Sequence, residues 1–231
     1  MTSIDAVIVG AGSGTRLGLS VPKAFVDLCG KPIVYYSLRT FVNHPSVNKT
    51  ILAVPPAMMD ETSGIINKYS DFVNKVQIVP GGAERWESVR NGCAASCGEW
   101  VLVHDAARPF VSNAVIDTVL EKRKDFDCVI TATPVADTIR TIAEGGRCGA
   151  TVDRSALMRV GTPQLFRRER LMPAFELIND MPSPPTDEAA LFERLGIGIG
   201  YSWGDAMNFK ITDKADLETA RAIIEKCGDD R

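Results

Sequence analysis

The chain has 231 residues, 45% hydrophobic and 24% charged, which is enough apolar material for the core of one α/β domain. A formal net charge of −3 argues against general binding to nucleic acid or to acidic membranes, so any anion site must be local. The sequence shows neither a secretory leader pattern nor an apolar run long enough for a membrane span. We therefore expect a cytoplasmic protein.

The cysteines and histidines of this sequence do not form a recognisable metal-binding or disulfide pattern. The six cysteines form no C-x-x-C pair, and the two histidines, His44 and His104, are isolated from each other. These spacings suit neither a zinc site nor a disulfide framework, so we interpret the cysteines as free thiols in a reducing compartment.

The first informative stretch is a short apolar run, residues 6–9, followed by a loop with four glycines that contains Arg16 and leads to Lys23. Glycine lets backbone N–H groups converge on an anion, so the loop can cradle phosphate while the two cations supply fixed charge. The dinucleotide-binding pattern fails because Thr15 stands where Gly or Ala is required, and no Gly-Lys-Ser/Thr ends the loop as in a P-loop. A purely structural glycine turn stays open as the alternative.

Strands and helices alternate along the next part of the chain. We expect a helix over residues 32–41, a strand over 50–54, a helix ending near 69 and a strand over 75–79. This alternation predicts a parallel sheet covered by helices on both faces. Ligands of such sheets collect at the carboxyl ends of the strands.

Two further stretches follow predicted strands and therefore lie at that same edge. Gly81 and Gly82 permit close approach to a planar ligand such as a base, and Ser88 could hydrogen-bond the base or its sugar, or could instead cap the next helix. Asp105 ends the strand over 100–105 and is a candidate ligand for Mg²⁺ brought in by phosphates. A turn ion pair between Asp105 and Arg108 is the structural alternative.

The second half of the chain interrupts the α/β pattern with a β-hairpin over residues 135–160. Polar and apolar residues alternate on both sides of Gly145 and Gly146, after a strand over 127–134. An isolated hairpin is marginal in water, so it must pack on something, and a second subunit is the natural candidate. A helix over 168–179, another opened by Thr186 as its N-cap, a strand over 197–203 and a last helix over 213–226 complete the pattern.

These motifs together resemble one known family. In chain order they read A-G-S-G-T-R with P-K, G-G-x-E-R-x-x-S-V, V-H-D-A-A-R-P, D-T, T-V-D-R, T-P-Q, T-D-E and N-F-K-I-T. In order and spacing they closely resemble the 2-C-methyl-D-erythritol 4-phosphate cytidylyltransferase family nearly from end to end. The resemblance implies one Rossmann-like nucleotidyltransferase domain over residues 1–231, with a mostly parallel central sheet flanked by helices. It also implies an inserted β-arm over 135–160 that exchanges contacts across a homodimer.

The activity implied by this resemblance is transfer of CMP from CTP to 2-C-methyl-D-erythritol 4-phosphate. The products would be 4-diphosphocytidyl-2-C-methyl-D-erythritol and pyrophosphate, in non-mevalonate isoprenoid biosynthesis, with Mg²⁺ carried by CTP as the cofactor.

The resemblance also implies roles position by position. Arg16 and Lys23 match the cations that stabilise the transition state, Arg154 and Lys210 match residues that position the polyol phosphate, and Asp105 matches the acidic residue at the metal. The positions that match substrate-binding residues are Ala11, Gly12 and Gly14 in the phosphate loop, Gly82, Ser88 and Ala106 in the cytidine pocket, Arg108 beside the metal residue, and Thr138, Thr162 and Thr186 at the polyol site. In the family, Thr138 and Arg154 reach the active site of the partner subunit.

Two departures from the family and three alternatives qualify this interpretation. Ala83 replaces an Asp that helps hold the ribose in many relatives, and Ala24 replaces the Gln that commonly follows Pro-Lys. Ribitol-5-phosphate cytidylyltransferase is the nearest alternative, since only the polyol pocket separates the two enzymes. A nucleotide-binding regulator is disfavoured by the presence of both Arg16 and Lys23, and an NAD-dependent dehydrogenase is disfavoured by Thr15.

Overall fold

The structure is a computed structural model and describes residues 2–12 and 21–228. The strands in chain order are β1 (Ile4–Val9), β2 (Asp27–Leu28), β3 (Lys31–Pro32), β4 (Lys49–Val54), β5 (Val76–Pro80), β6 (Trp100–Asp105), β7 (Cys128–Pro134), β8 (Ile139–Ile142), β9 (Cys148–Val152), β10 (Met158–Arg167) and β11 (Ile199–Trp203). The α-helices are α1 (Ile33–Asn43), α2 (Met59–Ile66), α3 (Arg85–Ala95), α4 (Asn113–Glu121), α5 (Arg168–Ala174), α6 (Ala189–Arg194) and α7 (Lys214–Cys227).

Seven of these strands form one sheet in the order β11-β7-β10-β6-β1-β4-β5. Strands β6, β1, β4 and β5 run parallel, as do β11 and β7, while β10 lies antiparallel between β6 and β7. The predicted fold class, a mostly parallel sheet flanked by helices, is confirmed.

The centre of the sheet is buried on both faces, which is why most of β6 and most of β1 are continuous apolar runs rather than alternating patterns. On one face Leu38 and Phe41 of α1 pack with Ile8 and Leu102 in the larger apolar core. On the other face Val89 of α3 packs with Val7 and other residues in a second core. The two layers hold the carboxyl ends of β1 and β6 side by side.

The predicted elements are present; the structure excludes one open alternative, Ser88 as an N-cap, and two details of the prediction are wrong. The helix of residues 85–95 is capped by Glu84, which forms a capping box with Glu87, so Ser88 lies inside the helix rather than at its N-cap. The helix α6 begins only at Ala189, so Thr186 lies upstream of its N-cap. The α-helix predicted over 168–179 ends at Ala174, one residue after Pro173, which has no backbone N–H to donate, and the chain continues as a 3₁₀ helix over Phe175–Asp180.

The predicted hairpin is present as the antiparallel pair β8 and β9, which forms a two-stranded sheet separate from the main one. The turn uses positive φ angles of 71° at Gly145 and 73° at Gly146, a backbone conformation that glycine adopts without strain. All of β8 is exposed, and Ile142 reaches 95% exposure. The assignment of residues 135–160 as a dimerisation arm stays a prediction. Within the described residues, no helix combines the length and apolar character needed to cross a bilayer.

Candidate active site

A cavity of about 280 Å³ opens at the carboxyl ends of β1 and β6. Eight of the residues selected from the sequence line it: Ala11, Gly12, Lys23, Gly82, Ser88, Asp105, Ala106 and Lys210. They come from five separated segments of the chain, which the parallel topology brings to one sheet edge. Gly14 and Arg16 lie outside the described residues.

The glycine pair after β5 closes one wall of this cavity. A Cβ on Gly81 would overlap the Cβ of Ala11 and would lie 2.9 Å from Oγ of Ser88, so only glycine lets the two loops meet. The backbone N–H of Gly82 donates to Oγ of Ser88 at 3.0 Å. Ser88 therefore fixes the glycine loop beside the cavity and lines the cavity with part of its own surface.

Two cations hold Asp105 at the floor of the cavity. Lys210 donates from Nζ to Oδ2 at 2.7 Å, and Arg85 donates from Nε to Oδ1 at 3.1 Å. The turn ion pair proposed between Asp105 and Arg108 does not form; the backbone N–H of Arg108 instead donates to the carbonyl oxygen of Asp105 at 3.0 Å. The carboxylate therefore faces the cavity with a fixed orientation.

The charge state of Asp105 follows from these contacts. Burial by itself would raise the pKa of the carboxyl group, but the charges of Arg85 and Lys210 outweigh it and hold the pKa well below its usual range. Asp105 thus stays ionised at every physiological pH. An ionised oxygen ligand is available at the cavity.

Arg85 and Glu188 are functional candidates that the sequence interpretation missed. Nη1 of Arg85 donates to both oxygens of Glu188, at 2.9 and 2.8 Å, and Glu188 is fully buried. Burial lowers the pKa of Arg85, but its two carboxylate partners, Asp105 and Glu188, outweigh that effect and raise the pKa above its ordinary value. The only sequence signal was their place in two of the quoted motifs, G-G-x-E-R and T-D-E.

A second layer beneath the cavity contains His104 and Thr162. Oγ of Thr162 accepts a hydrogen bond from the backbone N–H of Asp105 at 3.1 Å. The hydroxyl proton of Thr162 is therefore free to be donated to Nδ1 of His104, which lies 3.0 Å away. That assignment leaves Nε2 of His104 to donate to the carbonyl oxygen of Arg108 at 3.1 Å. Burial lowers the pKa of His104 to about 4, so the ring is neutral. Thr162 therefore supports the backbone of Asp105 from below the cavity.

A second cavity of about 320 Å³ adjoins the first, because Lys210 and Thr212 line both. Arg108 belongs to this second cavity, where its Nη1 donates to the carbonyl oxygen of Asn208 at 2.9 Å. Arg108 therefore lines the second cavity, whereas the predicted substrate-binding residues Ala11, Gly12, Gly82, Ser88 and Ala106 line the first.

Four of the predicted site residues that the structure describes line neither cavity: Thr162, which lies below the first cavity as described above, and three others. Thr138, Arg154 and Thr186 are exposed, and the first two belong to the hairpin segment. Nη1 of Arg154 donates to the carbonyl oxygen of Ala136 within that same segment. Their roles at a substrate site stay predictions.

A mostly parallel sheet with a glycine loop, fixed cations and an ionised carboxylate at the carboxyl ends of its strands defines a Rossmann-like enzyme for a phosphate-bearing ligand. Residues 4–226 match the family model described as IspD: 2-C-methyl-D-erythritol 4-phosphate cytidylyltransferase. The chain therefore belongs to that family and is a cytidylyltransferase.

Individual relatives agree with this assignment. The chain is 35% identical to the 2-C-methyl-D-erythritol 4-phosphate cytidylyltransferase of Nitrosomonas eutropha, over 98% of both chains. It is 37% identical to the enzyme of that name from Bacillus licheniformis, over 96% of this chain and 95% of the relative. The crystal structure of the enzyme of that name from Thermus thermophilus superposes with a TM-score of 0.80 at 30% identity, covering 97% of this chain and all of that one.

Proposed function

We propose that this enzyme transfers CMP from CTP to 2-C-methyl-D-erythritol 4-phosphate within the two adjoining cavities, releasing pyrophosphate. One observation carries the proposal. Lys23, Asp105 and Lys210 come from three distant segments and line a single cavity, which Gly10 and Gly12 also line. Such a cavity matches the requirements of a nucleoside triphosphate, because it offers backbone donors and cations to the phosphates.

The reaction is an in-line displacement at phosphorus. An oxygen of the acceptor phosphate forms a bond to the α-phosphorus of CTP, and the bond from that phosphorus to the bridging oxygen of the β-phosphate breaks. The bonding electrons leave with pyrophosphate. The second pKa of a phosphate monoester is about 6, so the nucleophile is already a dianion at neutral pH and requires no general base. This agrees with His104 being neutral, buried and hydrogen-bonded below the cavity.

The principal requirement of such a reaction is stabilisation of charge on the non-bridging oxygens, which preorganised cations provide. We assign this role to Lys23 and, from the family resemblance, to Arg16. Nζ of Lys23 donates to the carbonyl oxygen of Ile211 at 2.8 Å, a contact that ties this cation to the segment directly following Lys210. We assign the triphosphate to the loop at Ala11 and Gly12, and cytidine to the wall formed by Gly82, Ser88 and Ala106.

The donor set at the cavity suits Mg²⁺ carried by the phosphates. Mg²⁺ usually keeps waters and takes one or two carboxylates together with substrate phosphates, and Asp105 supplies one ionised carboxylate. Among the described residues no cluster of three His, Cys, Asp or Glu side chains could hold a metal without substrate. When bound, the ion would neutralise phosphate charge and orient the triphosphate.

The hairpin supports a proposal about assembly. Its residues Ile139 and Ile142 are exposed apolar side chains on a two-stranded sheet that is separate from the main sheet in the part of the chain that the structure describes. We propose that the arm packs on a second copy of the chain and brings Thr138 and Arg154 to the partner's polyol site. Sedimentation of the full chain beside an I139S/I142S variant tests this, because the variant should dissociate at concentrations where the wild type is dimeric. Equal dissociation constants would contradict the role of the arm.

The activity itself is tested by pyrophosphate release from CTP and Mg²⁺ with each candidate acceptor added in turn. We expect turnover with 2-C-methyl-D-erythritol 4-phosphate, and much less with ribitol 5-phosphate or with no acceptor. Excess EDTA should abolish release and added Mg²⁺ should restore it. Equal or greater turnover with ribitol 5-phosphate would contradict the proposed acceptor.

A further inference from the structure

Among the described residues, two arginines line the second cavity, and one of them is Arg108. Arg159 also lines it, at the start of β10. Within the part of the chain that the structure describes, the side chain of Arg159 makes no hydrogen bond or ion pair. Two guanidinium groups facing one cavity repel each other, and an anion between them would relieve that repulsion.

The register of β10 places both guanidinium groups on the same face of that strand. Arg159 pairs with Thr133 and Gly161 pairs with Thr131, so the two residues of β10 lie two positions apart and face the same way. A Cβ on Gly161 would lie 3.5 Å from Cζ of Arg108, which means that the Arg108 guanidinium covers the bare backbone of Gly161. Arg159 therefore projects on the side of the strand that Arg108 already occupies.

The guanidinium group of Arg108 also has an unused hydrogen-bond donor. Its Nε is buried without a hydrogen-bond partner, while Nη1 is committed to the carbonyl oxygen of Asn208. Burial lowers the pKa of Arg108, and the nearby charge of Arg159 acts in the same direction. The two carboxylates at this cavity are engaged elsewhere: Asp205 accepts the backbone N–H of Met207, and Asp216 accepts from Thr212.

We propose that Arg159 is a further substrate-binding residue, which holds the phosphate of the acceptor together with Arg108 in the second cavity. The proposal rests on the function proposed above. Lys210 lines both cavities, so a phosphate held between the two arginines lies next to the compartment assigned to CTP. Arg159 thus contributes to affinity for the acceptor and not to affinity for the nucleotide.

The test compares steady-state kinetics of R159A, R159K and R170A with the wild type, each substrate varied at saturation of the other. Arg159 and Arg170 are both exposed arginines, and Arg170 lies next to Asp127 at 3.8 Å, outside both cavities. Because a hydrogen bond to a charged group is a strong one, we expect R159A to raise the KM for the acceptor about tenfold. The KM for CTP should change less than about twofold, R159K should recover part of the loss, and R170A should behave as the wild type.

A direct binding measurement uses inorganic phosphate as the probe. Phosphate should inhibit the wild type competitively with the acceptor, and its inhibition constant should rise in R159A by the same factor as the KM. An unchanged KM for the acceptor, or a rise confined to CTP, would overturn the assignment of Arg159. A wild-type enzyme that does not turn over the acceptor at all would instead refute the proposed function, so the two failures are distinguishable.

Discussion

Lys210 and Asp105 are 105 positions apart in the sequence, yet Nζ of one lies 2.7 Å from Oδ2 of the other. The lysine reaches the carboxylate from the segment that precedes α7, whereas the aspartate ends β6. The contact joins the two compartments of the site, because Lys210 lines both cavities. Lys210 thus holds Asp105 in place, and we propose that it also supplies positive charge where the two substrates would meet.

Replacing Lys210 should abolish most of the turnover without unfolding the protein. We expect K210M to lower kcat about 10²- to 10³-fold, the usual effect of removing one preorganised group that stabilises developing charge. Asp105 keeps its second partner, Arg85, so the melting temperature should change little. Pyrophosphate release and thermal denaturation measure the two effects. K214M, at an exposed lysine four positions along, is the matched control, and a similar loss in that variant would refute the specific role.

Lys23 should be needed for chemistry rather than for folding. We expect K23A to lose about 10²- to 10³-fold in kcat, and R16A to lose a similar amount, as the family resemblance implies. The exposed Lys68 provides the control K68A. Near-wild-type turnover in K23A, measured with both substrates saturating, would contradict its role at the transition state.

Arg85 should matter for stability as well as for activity. Among the described residues Arg85 is the cation paired with Glu188, so R85M leaves that buried carboxylate without its partner, and breaking a buried ion pair in this way costs about 3 kcal/mol. The double variant R85M/E188Q removes the stranded charge, so it should regain much of the free energy of unfolding. Its activity should stay low, because Asp105 still lacks one of its two partners.

Urea denaturation and kcat, measured side by side on R85M, E188Q and the double variant, separate these effects. If stability and activity recovered together in the double variant, Arg85 would have only a structural role.

His104 should make the protein less stable in mild acid. Its pKa is lowered by burial from 6.5 to about 4, so between these pH values the unfolded chain binds a proton that the folded chain does not. The free energy of unfolding therefore falls as the pH drops from about 6.5 towards 4, by up to about 3 kcal/mol. Asp105 does not add to this change, because its lowered pKa keeps its contribution intact above pH 3.8.

The variant H104Q isolates this effect, since glutamine cannot titrate. We expect the melting temperature of the wild type to decrease more than that of H104Q between pH 7 and pH 4.5, with EDTA present throughout. Glu188, whose pKa is raised by burial, is present in both proteins and cancels in the comparison. Parallel curves for the two proteins would show that His104 is not the titrating group.

Local patterns in the sequence predicted the elements and several residues that line the first cavity, and the family resemblance added others, such as Lys210. Apolar runs predicted the central strands, because a strand buried on both faces has no polar alternation, and the parallel topology then placed Gly12, Gly82 and Asp105 at one edge. The N-cap predicted at Thr186 was wrong and the alternative N-cap at Ser88 is excluded, because several polar residues lie near the start of each helix and only the folded backbone selects one of them.

Only the tertiary structure decided which charges meet. In the sequence Arg108 is the nearest cation to Asp105. In the folded chain the carboxylate of Asp105 instead contacts Arg85 and Lys210, and the side chain of Arg108 lines the second cavity. The same folding buries Glu188 against Arg85 and places Arg159 on the face of β10 that Arg108 covers. Electrostatic partners depend on distances through space, which local sequence patterns do not encode. Many of the residues that line the first cavity could therefore be selected from the sequence, whereas Arg85, Glu188 and the ion pairs they make could not.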